Sequence, residues 1–286
     1  MDFDPPSRSR SFEWSGTPAD PYTPPSERFD PLGDPWIDPD DERRRYRSTL
    51  RRLSLGFSTL ALALILASLS SIGGLILIFT GRLQNPGVLL GINHFDLILE
   101  TAIVWVSTIG VALLWGRWPD PSWTRRSGLL LMMCLVDIVL WSLDHAKDIG
   151  FTDAKIGHDW FRLSLGRALG WSEFALIASL AADIAARLGE PQALDFGKAA
   201  RSLATTGAIV WFTYFYFQTD WNNQIWPLKM RRLDRGSVML YLGTIVLGSI
   251  AMVQVSALSL LASRCCGKAL RDMAAEDKKR DAFPDF

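Results

Sequence analysis

Long uncharged apolar runs alternate with short charged segments over most of the chain. The first run, at positions 53–80, contains no ionisable side chain. About 20 apolar residues are enough for an α-helix to cross the hydrocarbon core of a bilayer, and this run is longer than that. The pattern predicts an all-α fold, a polytopic transmembrane helical bundle, in which this run is an uncleaved first span.

Five more runs bring the predicted number of transmembrane spans to six. They lie at about residues 53–80, 96–116, 127–144, 165–187, 202–219 and 237–263. The third has the shortest uninterrupted stretch, 127–143, and it includes Asp137, so it also fits a re-entrant or tilted element.

The segments outside the predicted bundle differ from it in composition. Residues 1 to about 40 contain nine of the fifteen prolines, mixed with Asp, Ser and Arg. Such a segment cannot bury enough apolar surface to offset the entropy of ordering it. We expect a disordered cytoplasmic arm at 1–42, a bundle at 43–264 and a charged cytoplasmic tail at 265–286.

Basic residues predict the orientation, since cytoplasmic flanks carry the excess of Lys and Arg. With six spans and the N-terminus inside, the inner flanks hold eighteen basic residues and the outer flanks nine. Both termini are therefore predicted to be cytoplasmic. The first and sixth runs, 53–80 and 237–263, are longer than one crossing requires, which favours a thicker plasma or late-secretory membrane.

Composition agrees with a membrane protein and excludes several other classes. Hydrophobic residues make up 49% of the chain, whereas 30 basic and 30 acidic residues balance to zero net charge, which speaks against a nucleic-acid partner. No phosphate loop, dinucleotide fingerprint, nucleophile elbow or zincin motif occurs. We expect no enzymatic activity and no cofactor.

Small residues and aromatic residues indicate how the spans pack and where they end. Small side chains at spacing four in the fourth span, such as Gly166, Gly170, Ala178 and Ala182, allow close helix contact and place that helix centrally. Near the second inner loop, three tryptophans are predicted to anchor at the headgroups: Trp115, Trp118 and Trp123. Asp183 is predicted to form a local ion pair with Arg187, one turn away.

Three carboxylates inside the spans are the strongest functional signal. Glu100, Asp137 and Glu173 each lie roughly 6 to 10 residues, or about 9 to 15 Å, below the predicted outer surface. Ionisable groups at such depth are costly and usually mark a partner or a pathway. They are our candidates for an ion- or proton-binding site; the alternative is a network of interhelical hydrogen bonds without transport.

Four residues on the predicted outer side could line the mouth of that site: His94, Asp96, Asp144 and His145. Imidazole and carboxylate groups serve as metal ligands and as proton relays. Their spacing matches no metal motif, which favours a solvated acidic loop with incidental histidines over a metal site.

Cys265 and Cys266 follow the sixth span on the predicted cytoplasmic side. Juxtamembrane cysteines in that position are candidate S-palmitoylation sites, and unmodified thiols are the alternative. The three cysteines of the chain form no disulfide framework.

The sequence supports three functional hypotheses. The first is a multi-pass, non-enzymatic membrane protein that binds a small cation or proton during transport. The second is an organising or adaptor protein that binds cytoplasmic proteins through its arm and tail. The third is an intramembrane metal-dependent hydrolase that uses the outer His and Asp groups. The lipid bilayer is the common partner.

Overall fold

The structure is a computed structural model that describes residues 39–79, 86–116, 118, 120–144, 160–218 and 235–282. Within these residues the chain forms six α-helices and no β-strand, which confirms the all-α prediction. The helices are α1 (Pro39–Phe79), α2 (Pro86–Leu114), α3 (Pro121–Asp144), α4 (Trp160–Arg187), α5 (Ala193–Gln218) and α6 (Arg235–Ala282). The predicted disordered arm, as far as residue 38, lies outside the described residues. The chain divides after Glu42 into two units, and the contacts below lie in the second.

Four of the described helices are long and apolar enough to cross a membrane. The qualifying stretches are Asp40–Gly73 in α1, Pro121–Leu143 in α3, Ala168–Arg187 in α4 and Gly243–Lys279 in α6. The apolar stretch described in α2 is shorter, Ile98–Leu114. These helices fit an integral membrane protein, while the count of six spans stays a prediction. The third element is one continuous helix of 24 residues.

The first and last helices are longer than a membrane is thick. α1 has 41 residues and α6 has 48. At 1.5 Å per residue they measure about 60 and 70 Å, whereas a bilayer with its headgroups is about 45 Å thick. Each helix therefore extends well beyond its uncharged portion.

These two extensions lie side by side. Asp277 near the end of α6 pairs with Arg47 and, at 3.4 Å, with Arg43, both near the start of α1. Further along, the Ser263 hydroxyl lies 2.7 Å from that of Ser58. We call this end of the bundle, where α1 begins and α6 ends, the basic end. The predicted tail at 265–286 is, as far as Ala282, a continuation of α6.

An aromatic cluster fills the core at the basic end. Trp118 and Trp123 are only 6% and 2% exposed. Their rings contact each other, and they also contact Tyr46 and Phe57 of α1. The headgroup-anchoring prediction is therefore wrong for these two tryptophans, because burying their rings between helices removes more apolar surface from water. Trp115, in contrast, is 51% exposed.

The fourth helix packs against α3, α5 and α6, as its small residues predict. Ala178 and Ala182 are buried where α5 presents Gly197, and a methyl group on Gly197 would overlap the Ala182 side chain. Gly170 faces open space instead. The small-residue prediction is thus confirmed for the alanines, whereas Gly170 makes no close contact.

Trp171, the residue after Gly170 on α4, packs between α5 and α6. Its ring covers Gly207 of α5 and lies within 3.7 Å of the position where Gly248 of α6 would carry a methyl group. A side chain on Gly207 would occupy the same space as the ring. The bulky residue on α4 therefore requires the glycine on α5.

Candidate functional site

Two well-defined helix ends hold α3 and α4 next to each other at the basic end. Asp120 caps α3, and its carboxylate accepts a 2.8 Å hydrogen bond from the Ser122 backbone N–H, with Pro121 as the first helical residue. Proline suits that position because its missing N–H would have no partner there. α4 ends at Arg187, and Gly189 follows it with a φ of 104°, a backbone conformation that favours glycine. Beyond it, the Glu190 N–H donates back to the Ala185 carbonyl at 2.9 Å.

Two ion pairs connect these ends. Arg187 in the last turn of α4 reaches Asp120, and Arg126 on α3 contacts Asp183 on α4 at 2.5 Å. Arg126 also donates to the Ser179 hydroxyl at 3.1 Å. The predicted local pair of Asp183 with Arg187 is therefore wrong, because each residue has a partner on the neighbouring antiparallel helix.

The surroundings of Asp120 favour the charged form of its carboxyl group. Hydrogen bonds from the side chain and backbone of Ser122, followed by the Arg187 guanidinium, lower the pKa of this carboxyl below its ordinary 3.8. Its burial acts in the opposite direction but is outweighed. The N-terminus of a helix also favours a negative charge. The capping carboxylate is thus ionised at neutral pH.

Further along the same interface, α3 and α4 bring Asp137 and Glu173 together. The Glu173 carboxyl hydrogen-bonds with the Cys134 thiol and lies within electrostatic range of Asp137. Cys134 and Asp137 are three residues apart and so share one face of α3. A methyl group placed on Gly166 would lie 3.9 Å from the Asp137 carboxylate, an ordinary contact distance, so Asp137 lies beside α4 at this glycine.

Glu173 is the least satisfied acidic group in the described part of the chain. Its Oε1 is buried and has no hydrogen-bond partner among the described residues. Ten residues, or about 15 Å along α4, separate Glu173 from the Asp183 ion pair. Among the described residues, no Lys or Arg acts on Glu173.

Glu100, the third predicted member of the site, is largely exposed on α2. Among the described residues, Asp137 and Cys134 act on Glu173, and Glu100 does not. Cys134 was not predicted as part of the site. Its spacing of three residues from Asp137, combined with an antiparallel α3–α4 pair, is the sequence signal that points to it.

The residues predicted to line the outer mouth lie at or beyond the limits of the residues that the structure describes. His94 and Asp96 belong to α2 and Asp144 ends α3, but their side chains lie outside the described set, as does all of His145. Among the described side chains, no three His, Cys, Asp or Glu residues form a group suited to a metal ion.

Cys265 and Cys266, the predicted palmitoylation sites, are buried and carry free thiols. Cys266 belongs to the main core, whereas Cys265 packs with Ala185 and Ala193 beside the turn between α4 and α5. An acyl chain could be attached only after this part of α6 moves away from that packing. Acylation of these cysteines stays a prediction.

No protein-family model, curated protein or solved structure matches the chain. The fold and side chains define a class: an all-helical protein with several helices apolar enough to lie in a membrane.

Proposed function

We propose that the chain is a multi-pass membrane protein that binds a proton or a small cation between α3 and α4, at Asp137 and Glu173, as part of a transport cycle. The observation that carries this proposal is the buried, unpartnered Oε1 of Glu173 beside the carboxyl of Asp137. The Cys134 thiol, which hydrogen-bonds with Glu173, is a third polar group at the site.

The chemistry of two neighbouring carboxyls supports such a site. A charged carboxylate surrounded by apolar helices loses its hydration, and a second negative charge nearby adds repulsion. A shared proton or a bound cation relieves both effects. A purely structural pair would instead complete its hydrogen bonds within the bundle, and Glu173 Oε1 does not do so among the described residues.

The ion pairs at the basic end support access from the opposite end of α3 and α4. Arg187 with Asp120 and Arg126 with Asp183 tie the two helices together about 15 Å from Glu173. An ion arriving from the basic end would have to separate these pairs. Entry from the other end, where the sequence places His94 and His145, avoids that cost.

We further propose that all six helices cross the membrane and that the basic end faces the cytoplasm. Support for six crossings comes from the lengths of α2 and α5, which have 29 and 26 residues. Support for the orientation comes from the excess of Lys and Arg on the inner flanks. Long first and last spans favour a plasma or late-secretory membrane.

The experiment is thermal unfolding of the purified protein in nanodiscs, followed by tryptophan fluorescence. It compares pH values from about 5 to about 9 and adds sodium, potassium, calcium or zinc in turn. A ligand that binds only the folded state stabilises it by about 2.7 kcal/mol at one hundred times its dissociation constant. We expect a saturable ion or pH effect that Glu173→Gln and Asp137→Asn abolish.

A matched control separates the site from carboxyls in general. Glu190 is exposed in the turn between α4 and α5, whereas Asp137 and Glu173 lie within helices α3 and α4. Glu190→Gln should keep the whole response. If Glu173→Gln folds and still shows the wild-type response to every ion and pH, the proposed site is wrong, and the two acids serve only to connect helices.

The adaptor hypothesis remains a second candidate because one observation favours it. α6 continues as a helix through Ala282 and is joined to α1 by the Asp277 ion pairs, so the basic end presents an ordered helical surface beyond the bilayer. A chain that lacks residues 1–40 tests this candidate. Loss of function with an intact bundle supports it, and full function in the shortened chain counts against it.

A further inference from the structure

Three acids near the basic end have basic partners within the protein. Asp120 pairs with Arg187, Asp183 pairs with Arg126, and Asp277 pairs with Arg43 and Arg47. These carboxylates are therefore unable to neutralise further cations nearby. A basic side chain at this end that has no such ion pair can bind an anionic group from outside the bundle.

Four such basic side chains lie where the uncharged portions of α1 and α6 end. They are Arg51, Arg52, Arg264 and Lys268, all exposed and without an ion pair among the described residues. The Ser54 hydroxyl lies 3.1 Å from that of Ser263, which places these two portions of α1 and α6 at the same level. Since one turn rises about 5.4 Å, the four cations lie within about two turns of that level.

A small cleft lies beside Arg52 at the same level. Its cavity of about 30 Å³ has room for one oxygen-sized group. Arg52 and Thr49 line it on α1, opposite Trp115 and Trp118 in the connection between α2 and α3. Trp118 is 6% exposed, and its Nε1 is buried without a hydrogen-bond partner among the described residues. The cleft thus combines a guanidinium, a hydroxyl and aromatic walls.

We propose that this surface, the four cations together with the cleft between Arg52 and Trp118, binds the phosphate headgroups of anionic phospholipids in the leaflet that meets the basic end. Basic residues directly beside a membrane helix attract anionic lipid headgroups. One phosphate oxygen fits in the cleft while the rest of the headgroup lies at its open mouth. The exposed Trp115 supplies the aromatic ring that is favoured at headgroup level.

The position of the surface favours lipid phosphate over free phosphate. Leu53, the next residue of α1, opens the run at 53–80 that has no ionisable side chain. Large apolar side chains on this helix, Leu55 and Leu62, are each 53% exposed, as expected for a helix that faces acyl chains. A phosphate bound beside Arg52 is therefore at the depth of a headgroup, and the attached acyl chains would cover these leucines.

The test uses the full chain in nanodiscs of phosphatidylcholine, with or without about one phosphatidylserine in five lipids. Native mass spectrometry counts the phosphatidylserine molecules that stay bound after the disc is stripped away. The surface variant carries Arg51→Gln, Arg52→Gln, Arg264→Gln and Lys268→Gln. Its control carries an equal number of changes further from the membrane: Arg45→Gln, Arg271→Gln, Lys278→Gln and Lys279→Gln. A second variant, Arg52→Lys, keeps the charge but loses the planar guanidinium.

We expect the wild type and the control variant to retain phosphatidylserine in preference to phosphatidylcholine, and the surface variant to lose most of that preference, about tenfold or more. Arg52→Lys should retain less phosphatidylserine than the wild type. Equal retention would show that the cleft is not part of the binding surface. Inorganic phosphate in phosphatidylcholine discs should not raise the thermal midpoint as phosphatidylserine does. The proposal is overturned if the folded surface variant retains as much phosphatidylserine as the wild type, if the control variant loses as much, or if free phosphate alone reproduces the effect.

Discussion

Arg126 on α3 and Asp183 on α4 form an ion pair of 2.5 Å across the helix interface. Both side chains are 27% exposed, so the pair lies at the border between the bundle and its surroundings. With Arg187 and Asp120 it makes two reciprocal links between the ends of antiparallel helices. The proposed ion site lies on the same helix pair, about 15 Å along α4 from Asp183.

A double-mutant cycle should detect this pairing. We expect Arg126→Ala and Asp183→Ala to show a coupling free energy of about 0.5 to 1 kcal/mol, the usual value for a partly exposed ion pair. The cycle of Asp183→Ala with Arg187→Ala should show no coupling beyond the error, since these residues have different partners. Denaturant or thermal unfolding of the four proteins in each set provides the measurement. Coupling confined to the second cycle would contradict the observed pairing.

The Asp120 carboxyl should make stability fall in acid. Its pKa is lower in the folded chain than the ordinary 3.8, because Ser122 and Arg187 stabilise the charged form. The stabilisation is therefore complete above about pH 4 and is lost as the pH falls through the folded-state pKa. Asp120→Asn should unfold at a lower temperature than the wild type at neutral pH, and the difference should shrink on acidification. A difference that stays constant down to about pH 3 would exclude this origin.

The apolar runs were sufficient to predict the helices but not where they end. The boundary predicted at residue 53 lies directly after Arg52, the last arginine before the uncharged run, whereas the helix α1 begins at Pro39. The boundary after residue 263 likewise marks a change in charge inside α6. Hydropathy identifies only the part of a helix that suits lipid. The charged extensions of α1 and α6 are joined by the ion pairs of Asp277 with Arg43 and Arg47, and hydropathy does not report such tertiary contacts.

The candidate site was predictable in part for the same reason. Depth along each span could be counted from the sequence, and it placed Asp137 and Glu173 at one level. Which acids meet depends on helix neighbours and rotation, so Glu100, at a similar depth on α2, could not be separated from them. The partner of Asp183 was missed because spacing within a helix reports only local pairs.

Gly207 should tolerate no side chain, whereas Gly170 should tolerate alanine. A methyl group on Gly207 would overlap the Trp171 ring, so we expect Gly207→Ala to cost about 1 to 3 kcal/mol through overpacking. Gly170 has open space beside it, and Gly170→Ala should be neutral or stabilising by up to about 1 kcal/mol, because alanine favours the helix. Thermal unfolding compares the two variants. Equal effects would show that Trp171 does not pack on Gly207.

The tryptophans of the α2–α3 connection should differ in their contact with lipid. Trp115 is 51% exposed, whereas Trp123 is 2% exposed and donates its indole N–H to the Leu114 carbonyl at 3.3 Å. Trp115→Phe should remove a component of the fluorescence that brominated lipids quench. Trp123→Phe should leave the amount of fluorescence lost to quenching unchanged and should lower the unfolding temperature through the lost core contacts. Strong quenching that depends on Trp123 would mean that this ring faces the lipid.

The three thiols should be protected in the folded chain and reactive only after unfolding. Cys134, Cys265 and Cys266 are all free and all buried. We expect a membrane-permeant maleimide to label them slowly in nanodiscs and rapidly in denaturant, at a rate that follows the opening of the bundle. Protein isolated from cells and treated with hydroxylamine, which cleaves thioesters, reports whether Cys265 or Cys266 is acylated. Fast labelling of Cys265 or Cys266 in the native protein would show that the end of α6 separates from the turn between α4 and α5, and only such separation makes palmitoylation of these residues feasible.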